Sequence, residues 1–197
     1  MQERAIRTRR QILENAVAVF AEKGFSGATV DAIAEAAAVN KQRIYAYFGS
    51  KQGLFEAALL HCFGEVELFS RGTLRQIAAE PERITELLLG GFLAAHKRNP
   101  RFWRLLSWAN LEPGGDLALL DRARSGENAE IRRLFDAAVA TGKLRAVEFH
   151  TYLFTLLAVS YFYFSNRRTL SHTIGGELFA DGEGGLLCTQ LGEVFRP

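Results

Sequence analysis

Apolar residues recur at helical intervals along almost the whole chain, and no run alternates β-branched with polar residues over the length of a strand. The pattern predicts an all-α protein. Ile6, Leu13, Val17 and Phe20 define an amphipathic first helix, with Lys23-Gly24 marking its end. Thr29 stands where it can cap a second helix of about two turns, with Asp31 at its positive end and Val30, Ile33, Ala34 and Ala37 on one face. Ala38-Val39 is a minimal connection, after which Asn40 caps a short third helix, Lys41 to Phe48, that Gly49 ends. Ser50 caps a long helix from Lys51 to around Arg71-Gly72, carrying Leu54, Phe55, Ala58 and Leu59 on one side. Pro81 and Pro100 occupy expected first helical turns, and Pro113-Gly114-Gly115 reads as a loop. Helices are expected near 81–98, 100–111, 116–141 and 146–169. A glycine-rich loop follows, then a closing helix near 186–195 with Leu186, Leu187, Leu191, Val194 and Phe195. The expected organisation is about nine helices: an N-terminal three-helix domain over 1–50 and a larger helical domain over 51–197.

Composition narrows the class. With 197 residues, 48% of them hydrophobic and 23% charged, the chain has enough apolar surface for a folded core. Cys62 and Cys188 both sit in apolar stretches, which suits a reducing compartment and gives neither a disulfide framework nor a metal-ligand spacing. The basic N-terminus has no apolar core of a secretory signal, and the run from Tyr152 to Phe164 is shorter than the roughly 18 residues that span a bilayer. A cytoplasmic protein with no membrane association is the expectation. Charge is uneven: residues 1–51 hold eight Lys/Arg against five Asp/Glu, and Arg4, Arg7, Arg9 and Arg10 crowd the first ten positions. A polyanion is a fitting partner for that end.

Two short helices joined by a tight turn, the second polar on its outer face, form a helix-turn-helix whose second helix enters the DNA major groove. Residues 30–48 have this form. Ile44 and Phe48 are four apart and should face the core, leaving Lys41, Gln42, Arg43, Tyr45 and Tyr47 for outer and flanking surfaces. Glutamine pairs with adenine and arginine or lysine with guanine, while tyrosine offers a ring to a thymine methyl or a hydroxyl to a phosphate. Thr29 and Lys51 stand at helix starts, where free amides and the dipole favour a phosphate. An ordinary helical hairpin with a solvated polar face fits the same spacing.

Three motifs in order, F-x-x-x-G-F (Phe20–Phe25), T-V-x-x-I-A (Thr29–Ala34) and I-Y-x-Y-F-x-S-K-x-x-L (Ile44–Leu54), make the stretch Arg7 to Leu60 closely resemble the N-terminal domain of TetR-family transcriptional regulators. The resemblance covers about a third of the chain. It implies a two-fold dimeric, ligand-responsive DNA-binding regulator, most simply a repressor released from a palindromic operator by a small molecule bound in the C-terminal domain. It also implies that Lys41, Gln42, Arg43 and Tyr45 face bases or nearby phosphates and that Thr29, Tyr47 and Lys51 hold the backbone. Two departures stand out. Ala38 occupies the place of the family's usual turn glycine, and Gln42 and Arg43 are bulkier than the small residues often found there, which puts the common base contacts in doubt.

The helix around Tyr152–Phe164 is apolar on every side and must be covered all round, either by its own subunit or by a partner. With the closing helix it would form a four-helix dimer interface, through the helices near 146–169 and 186–195, as the resemblance also implies. The stretches Asn99–Gly115 and Phe164–His172 also resemble C-terminal segments found in parts of the family. Candidate effector-pocket residues are Phe63, Phe92, His96, Trp103, Trp108, Phe135 and Tyr152, each also explicable as core. The four histidines are isolated and no catalytic or phosphate-loop motif appears, so neither catalysis, a cofactor nor a metal is expected. The rival reading is a helical small-molecule-binding or protein-interaction module with a degenerate helix-turn-helix, to which Ala38 lends some support.

Overall fold

The computed structural model describes residues 2–66, 69–112, 118 and 125–197. Among them run eleven α-helices: α1 (Gln2–Gly27), α2 (Val30–Ala36), α3 (Lys41–Phe48), α4 (Lys51–Glu65), α5 (Arg71–Ala79), α6 (Ile84–Arg98), α7 (Pro100–Leu111), α8 (Ser125–Ala140), α9 (Phe149–Ser165), α10 (Arg167–Thr173) and α11 (Gly185–Val194). No strand occurs among the described residues. The chain divides into two compact units, Met1–Val66 with Asn99–Arg124, and Glu67–Arg98 with Ser125–Pro197.

In the first unit α1 supplies a buried stripe of Ile12, Leu13, Ala16, Val17 and Phe20 against α2, α4 and α7. Phe20 meets Phe55 edge-on at 5.0 Å, and full burial of each ring contributes about 1.5–3 kcal/mol. The helix breaks where Lys23-Gly24 predicts. Gly24 has φ 73° and ψ 177°, a conformation essentially confined to glycine, before a last turn runs to Gly27. The freed amide of Ser26 donates to Glu112 Oε2 at 2.8 Å, so the carboxylate beyond α7 ties down the break.

In the second unit α6 is the central helix, packed by α9 and α11. Tyr152 is fully buried, its ring against Phe135 and Phe195 and its hydroxyl 3.0 Å from Thr85 Oγ1. Burial of the ring pushes its ionisation upward, so it stays a neutral hydrogen-bonding group. Asp181 organises the entry to α11, accepting from the amides of Glu183, Gly184 and Gly185 at 2.9, 2.8 and 2.6 Å, and those donors pull its carboxyl down to about 2.

Several boundaries differ from the sequence reading. The helix from Lys51 stops at Glu65 rather than Arg71-Gly72, because Ser70 caps a new helix by accepting from Thr73 N at 3.1 Å. The span 146–169 is not one helix: Glu148 caps α9 at its start, and Asn166 ends it before α10. Ile6 is 62% exposed instead of lying on the buried stripe, since the core begins a turn and a half later at Ile12. The Pro113-Gly114-Gly115 loop and the first turns expected of the 116–141 helix lie outside the described residues.

His96, on α6, is buried among Tyr161 and Phe164, and its neutral ring donates from Nδ1 to the Phe92 carbonyl at 2.9 Å. Desolvation pushes it down from 6.5 to about 4, against a smaller opposing effect of that hydrogen bond. Between pH 6.5 and 4 the unfolded chain binds a proton that the folded chain refuses. Stability therefore falls as pH drops through this window, by about 3 kcal/mol at its lower end. Denaturant titrations at pH 7, 5 and 4 check this, and a His96→Phe variant should lose most of that dependence.

Candidate nucleic-acid interface

The helix-turn-helix is built by reciprocal capping. Thr29 Oγ1 accepts from Ala32 N at 3.1 Å, Asn40 Oδ1 from Arg43 N at 2.8 Å and Ser50 Oγ from Gly53 N at 2.9 Å, so each helix of the series starts on a side-chain cap. The turn is a Schellman motif: Val39 N bonds Ala34 O at 2.9 Å and Ala38 N bonds Glu35 O at 3.0 Å, with Ala38 at φ 51°. Alanine thus takes the left-handed conformation that a glycine would adopt freely. The Ala37 carbonyl is capped from α1 by Gln11 Nε2 at 2.9 Å. A left-handed alanine costs roughly 1–2 kcal/mol, offset in part by glycine's greater unfolded entropy, so Ala38→Gly should stabilise the protein by about 0.5–1 kcal/mol. A raised denaturation midpoint is the readout.

Ile44 anchors α3, with none of its surface exposed. Phe48, expected in the core, is only half-buried, and the Arg9 guanidinium lies 5.2 Å from its ring centre. The structure brings Lys41, Gln42, Arg43 and Tyr45 onto the exposed surface of α3, leaves Tyr47 half-buried beside Phe48, and leaves Thr29 exposed at the start of α2. Lys41 Nζ bonds Asp31 Oδ2 at 2.8 Å across the turn, which raises the lysine's affinity for its proton and holds it beside α2. Lys51 Nζ sits 4.6 Å from the centre of the Phe25 ring, so the ammonium is positioned while its charge stays available. A Cβ on Gly53 would strike the Phe48 carbonyl oxygen, which explains glycine in the first turn of α4. Sequence reasoning missed Gln11 and the contact of Arg9 with Phe48, because their partners lie in other helices and leave no trace in local spacing.

The effector candidates are divided between the two units. Phe63, Trp103 and Trp108 belong to the first unit, with Phe63 against Phe102 at 4.9 Å, while Phe92, His96, Phe135 and Tyr152 are buried in the second. An open hollow of about 340 Å³ lies in the second unit, lined by Ala158, Val159, Phe162, Leu170, Phe179 and Leu187 among others. Its lining comes partly from residues 170–179, whose polar and glycine-rich sequence concealed the contribution of Leu170, Leu178 and Phe179.

A capped helix-turn-helix with a polar, exposed second helix, joined to a separate helical unit, defines a DNA-binding regulator. Residues 12–58 match the family of bacterial regulatory proteins called tetR, and residues 81–183 match the tetracyclin repressor-like C-terminal domain. The chain is 34% identical over 180 residues to the HTH-type transcriptional repressor NicS of Pseudomonas putida, covering 89% of this chain and 84% of that one. It is also 34% identical over 140 residues to the HTH-type transcriptional repressor SCO4008 of Streptomyces coelicolor, covering 71% and 67%. Among solved structures, SCO4942 of Streptomyces coelicolor superposes with a TM-score of 0.71 at 24% identity over 96% of this chain and 99% of that one, a likeness of fold. The chain belongs to the TetR family of transcriptional regulators. Among the described residues, no helix is long and apolar enough to cross a membrane.

Proposed function

We propose that the protein is a homodimeric repressor acting in the cytoplasm, which binds a palindromic operator through α3 and releases it when a small molecule binds. The observation that carries this reading is the α3 surface: Lys41, Gln42, Arg43 and Tyr45 are exposed on a helix anchored by Ile44 and capped by Asn40. Gln42 and Arg43 are suited to base edges and Tyr45 to a base or nearby phosphate, with Thr29, Tyr47 and Lys51 on the backbone. The names of NicS and SCO4008, both repressors, favour repression over activation.

Dimerisation is assigned to α9 and α11. Phe154 and Phe162 are 71% and 52% exposed on a single chain, and Leu157, Leu186 and Val194 are exposed beside them in the same two helices, apolar surface that a second copy would cover. The effector is assigned to the second unit, where Phe92, His96, Phe135 and Tyr152 form aromatic core; the 340 Å³ hollow shares Phe162 with the face assigned to the second copy and is counted with that contact. Phe63, Trp103 and Trp108 are the candidates of the first unit. Ligand and operator then weaken each other reciprocally, because the ligand favours a spacing of the two α3 helices that the operator does not. The fully capped turn around Ala38 argues against a degenerate helix-turn-helix.

The test is a salt-dependent mobility-shift assay on a duplex selected from genomic fragments. With both chains of the dimer changed, Arg43→Ala should cost about 1–3 kcal/mol per half-site and relax preference at one base pair of each, and Lys51→Ala should lower the salt slope by about 2 with preference unchanged. If both variants bind as the wild type does, the assignment of these residues is wrong.

A further inference from the structure

The first turns of α1 contribute nothing to the core. From Glu3 to Gln11 no residue is buried, whereas Ile12 and Leu13, immediately after, are core. A helix of nine such residues extends about 13 Å. Its charge is one-sided: Arg4, Arg7, Arg9 and Arg10 against Glu3 alone. Arg10 is engaged with Glu14 at 2.9 Å, which leaves three arginines as the extension's distinctive charge.

Its direction follows from two contacts. Gln11 reaches the Ala37 carbonyl in the α2–α3 turn, and Arg9 lies over Phe48 at the end of α3. Arg7 and Arg4 stand four and seven positions before Gln11, on the same helix face and one and two turns further out. The face that contacts the helix-turn-helix therefore continues outward as a basic stripe.

We infer that residues 4–9 of α1 form a second DNA contact, in which Arg4 and Arg7 take phosphates of the duplex flanking the base pairs read by α3, with Arg9 held at the junction by Phe48. This rests on the DNA-binding reading and adds a surface outside the seven residues assigned to it. Guanidinium groups take phosphate oxygens in bidentate fashion and carry no sequence information there, so the extension contributes affinity and salt dependence without altering which site is chosen.

The experiment measures binding of the full-length protein to its selected duplex from low to high salt. In the dimer each change is made twice, so an Arg4→Ala/Arg7→Ala pair should lower the magnitude of the log Kd against log salt slope by about 3.6 while the ranking of base-substituted sites stays unchanged. Arg71→Ala/Arg75→Ala removes the same charge from exposed positions of α5 and should leave the slope as it was. Arg4→Lys/Arg7→Lys should restore most of it. Because all four positions are exposed, unchanged circular dichroism is expected of each variant. An unchanged slope in the Arg4/Arg7 pair, with a wild type that binds, overturns the extension alone. An equal loss of slope in the α5 pair overturns it too, by reducing the effect to net charge. A wild type that retains no duplex overturns the DNA-binding reading and this contact with it.

Discussion

Replacing Phe154 and Phe162 by glutamate is expected to yield a folded monomer that binds the operator at least about a hundredfold more weakly than the wild type. Both side chains are exposed on the single chain, at 71% and 52%, so a carboxylate at either position does not disturb its core. Across a two-fold axis each change is made twice, placing four carboxylates in the contact. Each ring lost from a buried interface forfeits about 1.5–3 kcal/mol, and desolvating a carboxylate there costs more. Once the chains part, the two half-sites no longer reinforce one another. Sedimentation gives the mass and the shift assay the affinity. A double variant that stays dimeric and binds normally would show that α9 and α11 do not form the contact.

Gly24→Val should destabilise the protein by about 4 kcal/mol, through left-handed backbone strain and overpacking together. At φ 73° and ψ 177° a β-branched side chain is strained whatever the space around it. There is also no space. A Cβ at this position would lie 2.9 Å from Trp108 Cε3 and 2.6 Å from Glu112 Oε1; the carboxylate can swing away, but the indole is wedged against α1. Equilibrium denaturation measures the loss. An effect below about 1 kcal/mol would mean that the helix break and its α7 contact yield easily.

The first unit was more legible in the sequence than the second, for physical reasons. Thr29, Asn40 and Ser50 cap helices by bonding residues three positions on, so their role is written in local order, and Gly24 breaks α1 for a similarly local reason. The left-handed turn was visible as a conflict at Ala38, and the structure resolves it by accepting the strain. What lay beyond local order was harder. The Gln11 cap on Ala37 joins residues 26 positions apart, and Phe48 ended half-exposed because Arg9 rather than an apolar neighbour lies over it. The ends of α4 at Val66 and of α9 at Asn166 were hidden because neither carries a glycine or proline stop, and in the second unit α6 and α9 are almost uniformly apolar. The same uniformity made Phe92, Phe135 and Tyr152 indistinguishable from pocket walls, although burial places them in the core.

The acid limb of stability should report the second unit first. Besides His96, Glu148 is drawn down to about 2 by the amides of His150 and Thr151 and by the His150 ring, so the start of α9 keeps its cap until the pH approaches that value. Weakening between pH 6.5 and 4 therefore belongs to His96 on α6, and fraying of α9 to lower pH.

The arrangement of two α3 helices on successive major grooves is tested most directly by inserting five base pairs between the half-sites of the selected duplex. Half a helical turn places the second half-site on the opposite side of the DNA, beyond a pair of helices set about 34–36 Å apart. The account predicts two chains per uninterrupted duplex and, after insertion, an affinity reduced to that of a single half-site. Undiminished binding to the interrupted duplex, or one chain on the intact one, would contradict it.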